Sequence, residues 1–241
     1  MRKKIIIGSA VVLVLTIVGF YLYKLNTELT EEKKINNEFN KIIEYNKKRE
    51  ENKDKIDEIL NQTISENKKY QHVEIAAKKY LQDLYSYIDN VNYLVSSENT
   101  NYLSIENLKK DRPDFTKSKE NINNTKNQLT ENINKIVMQL TDENTIISYI
   151  KEYKLDKYYI NFYKELVSSS EQDAESIKNK YNYLFERLDT YIEALDFLTE
   201  NNKYWRIQNG DNLIFEKTEL YEEYLNITYK LDNTQAVSTE E

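Results

Sequence analysis

The sequence predicts an all-α protein: an N-terminal transmembrane helix, then an extracytoplasmic antiparallel helical bundle with one small β-hairpin near the C-terminus. Three observations carry this prediction. Residues 5–23 form a run of nineteen residues without a charge. The chain of 241 residues has three glycines and one proline, too few for a fold with many tight turns. Apolar residues recur three and four positions apart along most of the remaining chain.

The uncharged run extends from Ile5 through Leu13 to Tyr23. As a helix it would span roughly 28 Å, close to the hydrocarbon thickness of a bilayer. A cleavable signal peptide has an apolar region of about 7–15 residues followed by small residues. This run instead ends in the aromatic residues Phe20 and Tyr21 beside Tyr23, which suit the headgroup layer. We therefore predict a retained signal-anchor helix; removal of the segment after export is the alternative.

The charges on either side of this helix predict its orientation. Arg2, Lys3 and Lys4 precede it, and cationic residues tend to stay on the cytoplasmic side of a membrane. Residues 1–4 are therefore predicted to be a cytoplasmic tail, and everything after Lys24 is predicted to lie outside the cell membrane. The chain would cross the bilayer once.

The remaining chain is acidic. The whole chain has 34 basic and 41 acidic residues. Residues 1–24 contain four of the basic residues and none of the acidic ones. Residues 25–241 therefore have 30 basic and 41 acidic residues, a net charge of −11. This charge argues against binding to nucleic acid. The chain has no cysteine, which excludes disulfides and lipoprotein processing. Its richness in Lys, Asn, Ile, Glu and Tyr is typical of an AT-rich bacterial genome.

Residues 24–64 form a charged, helix-favouring juxtamembrane region. Its apolar stripe is interrupted in the middle by the polar residues Asn46, Arg49 and Lys53. One interpretation is a stalk that continues the membrane helix, which would reach roughly 55–60 Å if unbroken. The other is the first helix of the bundle, with a hydrated middle.

Residues 65–231 are predicted to form the bundle domain. Apolar spacing predicts helices at about 66–95, 105–108, 113–140, 146–150, 158–166, 177–198 and 216–231. Pro113 suits the first turn of the third of these, Thr141 and Asp142 can cap the next, and Ser168 with Glu171 can cap the helix that contains residues 177–198. No stripe keeps a strict heptad over many turns, which favours a packed bundle over a single rod.

The pair Asn209-Gly210 predicts a two-residue hairpin turn, because these residues readily adopt positive φ angles. Alternating segments on both sides place the hairpin at about 204–215. Its apolar set is Trp205, Ile207, Leu213 and Phe215. Residues 232–241 are acidic and small, and they are predicted to be a disordered tail.

The sequence offers no recognisable catalytic set. His72 is the only histidine, position 76 holds alanine, and cysteine is absent, so a zinc-binding helix is not predicted. Phosphate-binding loops need several glycines, and Gly210 is the only glycine after the apolar run. We predict no catalytic, cofactor-binding or metal-binding residues, and a non-catalytic protein.

Tyrosine supplies the remaining candidate site. Among 21 tyrosines, five fall within fifteen residues: Tyr149, Tyr153, Tyr158, Tyr159 and Tyr163. Tyrosine is common at binding surfaces because it offers a large rigid face and a hydroxyl; the alternative is that these rings fill the core.

Together these patterns predict a membrane-anchored bacterial envelope protein whose extracytoplasmic domain binds another protein, as a scaffold, in assembly or in interference with an incoming factor. The predicted partners are the lipid bilayer at residues 5–23, another envelope or surface protein, and a second copy of the chain. The alternative is a receptor for a small ligand or wall polymer that uses a tyrosine-rich surface.

Overall fold

The structure is a computed structural model, and it describes residues 30–96, 99–167, 174–210 and 212–233. This part of the chain is mostly helical with one antiparallel hairpin near its end, which confirms the predicted helical class. No helix within these ranges is long and apolar enough to cross a bilayer. The predictions for residues 1–4 and 5–23, and for the cap formed by Ser168 and Glu171, lie outside the described residues. The same holds for residues 234–241 of the predicted tail 232–241, whereas residues 232 and 233 belong to the last helix.

The described residues form ten helices and two strands. In chain order they are α1 (Thr30–Asn46), α2 (Arg49–Asn61), α3 (Lys68–Leu94), α4 (Ile105–Asp111), α5 (Thr116–Thr141), α6 (Glu143–Glu152), α7 (Lys157–Val167), α8 (Ala174–Asn179), α9 (Asn182–Glu200), β1 (Trp205–Gln208), β2 (Asn212–Phe215) and α10 (Thr218–Asn233).

The chain divides into two compact units, and the long helices α3 and α5 contribute residues to both. The described part of the first unit consists of residues 30–89, 133–167 and 174–178. The second unit consists of residues 90–96, 99–132, 179–210 and 212–233.

The first unit begins with a helical hairpin. The prediction of one continuous helix in the region 24–64 is wrong, because the chain turns at Lys47 and Lys48 and α2 runs back along α1. The backbone N–H of Glu66 donates to the carboxylate of Glu31 at 3.0 Å, so the end of the loop after α2 lies beside the start of α1. The turn between α1 and α2 excludes an unbroken helical stalk over the described residues of this region.

The apolar stripes predicted for this region are buried in the first unit. They supply a core from α1, α2 and α3 that consists of Ile35, Phe39, Ile42, Ile56, Leu60, Val73, Ala77, Tyr80, Leu84 and Ile88. Residues 30–61 thus contribute apolar side chains to the core of the first unit.

The predicted cap at Asp142 is confirmed. Its carboxylate accepts a hydrogen bond from the backbone N–H of Asn144 at 3.1 Å and another from the hydroxyl of Thr145, also at 3.1 Å. These bonds satisfy donors at the start of α6 that have no partner within the helix.

In the second unit, the predicted position of Pro113 is wrong. The helix begins at Thr116, so Pro113 lies in the preceding turn. The start of α5 is instead capped by Asp111, the last residue of α4, whose carboxylate accepts from the backbone N–H groups of Lys117 (3.2 Å) and Ser118 (2.6 Å).

The helix predicted to contain residues 177–198 is also divided. It becomes α8 and α9, separated by a turn at Lys180 and Tyr181. Neither glycine nor proline marks this turn in the sequence.

The predicted β-hairpin is confirmed. Trp205 pairs with Phe215 and Ile207 with Leu213, so the predicted apolar set lies on one face of the two strands. The indole N–H of Trp205 donates to the carbonyl of Leu198 at 2.7 Å, and its buried ring fixes β1 against the end of α9.

Candidate functional site

The candidate site is a groove of about 610 Å³ in the second unit, called here the α9–α10 groove. One wall is α10, α9 contributes another surface, and the segment before α4 completes it. The lining residues are Thr100, Asn101, Leu103, Ser104, Arg187, Tyr191, Tyr224, Leu225, Thr228, Tyr229 and Leu231. Its volume falls within the range of roughly 300–1,000 Å³ that is usual for ligand sites.

The sequence of α10 explains why this groove has an apolar wall. The apolar stripe of Leu220, Tyr224, Ile227 and Leu231 is only partly covered, with Ile227 its one buried residue among the described side chains. A second stripe lies beside it, because Tyr221, Leu225 and Tyr229 follow one another at four-residue spacing.

This second stripe is exposed. The exposed fractions are 46% for Tyr221, 44% for Leu225 and 65% for Tyr229. Single exposed apolar residues are ordinary, but three on one helix face form a continuous apolar strip. We call these three residues the α10 stripe.

Ring contacts fix α10 on α9 and on the hairpin. The ring centroid of Tyr224 lies 6.1 Å from that of Phe197 and 5.3 Å from that of Phe215. An ion pair between Lys230 and Glu193 (2.9 Å) joins the same helices farther along and shows that they run antiparallel. The groove wall is therefore held in place by packed side chains.

Arg187 on α9 is the positive charge that lines the groove. It is half-buried, one of its terminal nitrogens lies 3.4 Å from the hydroxyl of Tyr191, and its Nε is buried without a hydrogen-bond partner. No described carboxylate lies within ion-pair distance of its guanidinium. By contrast, Arg49 in the first unit is paired with Asp89.

Tyrosine hydroxyls add neutral hydrogen-bonding groups. Burial raises the pKa of Tyr224 to about 12. Burial also raises the pKa of Tyr183, one turn before Arg187, although the charge of Arg187 opposes that shift. Both phenols therefore stay protonated at neutral pH, so neither supplies a tyrosinate partner to Arg187.

A smaller polar depression of about 260 Å³ adjoins the groove and shares Asn101 and Ser104 with it. Glu106 is the one carboxyl group that lines either cavity, and its hydrogen bond to Lys110 lowers its pKa. These two cavities thus lack the pair of carboxyl groups, one with a raised pKa, that acid–base chemistry would use.

The predicted tyrosine cluster does not form one surface. Tyr149 and Tyr163 are buried, Tyr153 and Tyr159 are half-buried, and Tyr158 is 71% exposed.

The most buried of these rings serve the core of the first unit. The hydroxyl of Tyr149 donates to Asp83 at 2.7 Å, and its ring lies 5.6 Å from that of Tyr80. At the other end of the cluster, Tyr159 lies between Tyr70 and Tyr158, with centroid distances of 4.8 and 5.0 Å. A binding role for Tyr158 stays a prediction.

The remaining predicted site residues can be placed briefly. Ile5, Leu13, Phe20, Tyr21 and Tyr23, with the topology residues Arg2, Lys3 and Lys4, lie outside the described residues. His72 lies exposed on α3, and no group of three metal-ligating side chains occurs in the part of the chain that the structure describes.

The α9–α10 groove was not predicted from the sequence. The four-residue spacing of Tyr221, Leu225 and Tyr229 was a usable signal, because it gives α10 more apolar surface than one neighbour can cover. Arg187 carried no such signal, since its missing carboxylate partner is visible only once the chain is folded.

The fold and groove define a helical domain with a partly uncovered apolar face. Comparison with protein-family models, curated proteins and solved structures finds no match for this chain.

Proposed function

We propose that this chain is a membrane-anchored bacterial envelope protein whose extracytoplasmic helical domain binds another protein through the α10 stripe, in a scaffold, assembly or interference role. The observation that carries the proposal is the exposure of Tyr221, Leu225 and Tyr229 on one helix face beside a groove. The uncharged run of residues 5–23 supports the anchor, and the cations before it support the orientation.

The helix that carries the stripe suits this role. Recognition of a helix or an extended segment in an apolar groove is a common mode of protein binding, and aromatic side chains commonly supply its energy. Tyr229 is a large exposed ring on a helix whose other side is fixed to α9. Little ordering is therefore needed when a partner covers it.

The experiment is site-specific photocross-linking in intact cells. A benzophenone amino acid replaces Leu225 or Tyr229 in one set, and the exposed Met138 of the first unit in a control. We expect one discrete cross-linked product from positions 225 and 229 and none of that mass from position 138. The same products from all three positions, or none from 225 and 229, would contradict the proposal; a product of twice the chain mass would identify self-association.

A second candidate function is a receptor for a small ligand or wall polymer. The observation that favours it is the mixture of rings, hydroxyls and one cation in a groove of ligand size. Titration of the full chain with soluble wall fragments, followed by tyrosine fluorescence, tests it. A response that disappears in Tyr229→Ala would support binding in the groove, whereas one lost only in Tyr158→Ala would favour the ring cluster at Tyr158.

A further inference from the structure

Arg187 differs from the other partly buried charges in what surrounds it. In the first unit, Arg49 pairs with Asp89 and the buried Lys78 pairs with Glu74. Arg187 has no such carboxylate among the described side chains, although the domain is rich in acids. A half-buried guanidinium has lost part of its hydration without gaining an ion pair, so binding an anion there meets a small desolvation cost.

The surroundings of Arg187 suit an anion on an otherwise apolar segment. Its guanidinium carbon lies 5.9 Å from the ring centroid of Tyr191, which limits its motion. The groove also contains the apolar side chains of Leu103, Leu225 and Tyr229. Guanidinium can bind a carboxylate through two parallel hydrogen bonds from its two terminal nitrogens.

Charge varies along α10. Arg187 lies toward the end of α10 that contains Tyr229 and Leu231, since the antiparallel pairing places Glu193 beside Lys230. The first half of α10, before the groove residue Tyr224, instead exposes three acids, Glu219, Glu222 and Glu223. An acidic group is therefore attracted at the Arg187 end of the groove and repelled by the part of α10 that lies before the groove.

We propose that Arg187 binds the carboxylate of an Asp or Glu side chain in a partner segment whose apolar residues cover Leu225 and Tyr229. This inference rests on the proposed protein-binding function and names the partner chemistry: one acid at the Arg187 end, apolar residues in the middle, and neutral or basic residues toward Glu222 and Glu223. The exposed acids in the first half of α10 make this pattern specific, because further acids in a segment that extends past the groove would be repelled.

The test is selection of random twelve-residue peptides displayed on phage against the full chain in lipid nanodiscs. We expect enriched peptides to share one Asp or Glu at a fixed spacing from two or more apolar residues. Replacing that acid by its amide, or making Arg187→Gln, should each weaken binding about tenfold or more. The two changes together should weaken binding little further, because both remove the same ion pair.

Matched variants separate the possible outcomes. Arg206→Gln makes the same charge change on an exposed strand residue and should leave peptide binding unchanged. Arg187→Lys should keep part of the binding, and circular dichroism should show that both Arg187 variants melt like the parent chain.

The inference and the proposed function can fail separately. If Leu225→Ala and Tyr229→Ala abolish peptide binding while Arg187→Gln does not, the α10 stripe binds a partner and the ion pair is disproved. If no peptide is enriched, or none needs the stripe, both are overturned. If peptides bind only after residues 234–241 are deleted, the occupant is the chain's own tail, and the proposed partner segment is wrong.

Discussion

Glu74 is fully buried on α3, and its carboxylate organises the loop between α2 and α3. It accepts hydrogen bonds from the backbone N–H of Ile64 at 2.9 Å and of Ser65 at 3.0 Å, and from the Ser65 hydroxyl at 2.6 Å. Lys78 lies 2.7 Å away and also donates to the carbonyl of Gln62. One carboxylate thus satisfies donors of the loop that connects α2 to α3.

Glu74→Gln should destabilise the protein by about 2 kcal/mol, because it removes one of two carboxylates paired with the buried Lys78 and turns one acceptor of the Ser65 donors into a donor. Glu38 remains as the second carboxylate beside Lys78. Urea unfolding followed by circular dichroism measures the effect. The control is Glu106→Gln, which breaks another Glu–Lys pair at four-residue spacing that is largely exposed. The midpoint of urea unfolding of Glu106→Gln should equal that of the parent chain. Equal losses of stability in the two variants would contradict the role of burial.

The pH dependence of stability should report on the same group. Burial by itself would raise the pKa of Glu74, but the hydrogen bonds from Lys78, Ser65 and Ile64 outweigh it and hold the pKa below its usual 4.5. A carboxyl group with a lowered pKa stabilises the fold above its unfolded pKa, and that contribution is lost as pH falls through the folded pKa.

The difference in unfolding free energy between the parent chain and Glu74→Gln should therefore be constant from about pH 5 to 8 and should shrink below about pH 4.5. Urea titrations at a series of pH values measure it. The variant should keep some acid sensitivity, because Asp89 and Asp111 also have lowered pKa values. In both residues, burial raises the pKa, but the hydrogen bonds to the carboxylate lower it by more. A difference that does not change down to pH 3 would contradict this assignment.

At the scale of elements, the hairpin turn was predictable because two residues determine it. Asn209 has φ +53° and Gly210 has φ +86°, the backbone that a tight two-residue turn between antiparallel strands requires. A Cβ at position 210 would meet only the amino group of Lys109, at 3.8 Å, so space is not the constraint. The constraint is the positive φ angle.

Gly210→Ala should therefore destabilise the hairpin by about 1 kcal/mol, whereas Gly210→Asn should cost less, because asparagine adopts positive φ more readily than alanine. Hydrogen exchange measured by mass spectrometry should show faster exchange in peptides that cover 204–215 in the alanine variant, with α1–α3 unchanged. Equal exchange in both variants would mean that the turn conformation does not limit hairpin stability.

Helix breaks were harder to predict than helices. The turn at Lys47 and Lys48 contains neither glycine nor proline, so propensity alone favours a continuous helix. The polar interruption at Asn46, Arg49 and Lys53 is a local signal, but it is equally compatible with a stalk and with one bundle helix that has a hydrated middle. Tertiary packing favours two helices instead of one, because the turn allows both α1 and α2 to bury their apolar stripes against α3.

The tyrosine cluster shows a related limit at the level of side chains. The two short helices that carry most of these rings were predicted, but helical spacing alone does not tell which rings point inward. Tyr149 and Tyr163 are buried. The hydroxyl of Tyr149 has Asp83 and Gln139 as hydrogen-bond partners, and Asp83 is distant in sequence.

At the scale of the whole molecule, the proposed topology makes the absence of cysteine useful. Any single cysteine that is introduced becomes the only thiol of the protein. Asn127 on α5 is exposed, so Asn127→Cys places a reactive thiol in the domain that is proposed to lie outside the membrane. Lys3→Cys places one in the segment that is proposed to be cytoplasmic.

A maleimide that cannot cross membranes should label Asn127→Cys in intact cells, because a retained helix at residues 5–23 would leave everything after Lys24 outside the bilayer. Lys3→Cys should be labelled only after the cells are opened, and the labelled Asn127→Cys chain should sediment with the membranes. Labelling of both thiols only in opened cells would disprove export, and labelled chain of reduced mass in the culture fluid would show that the segment is cleaved. Either result would also remove the envelope setting of the proposed partner.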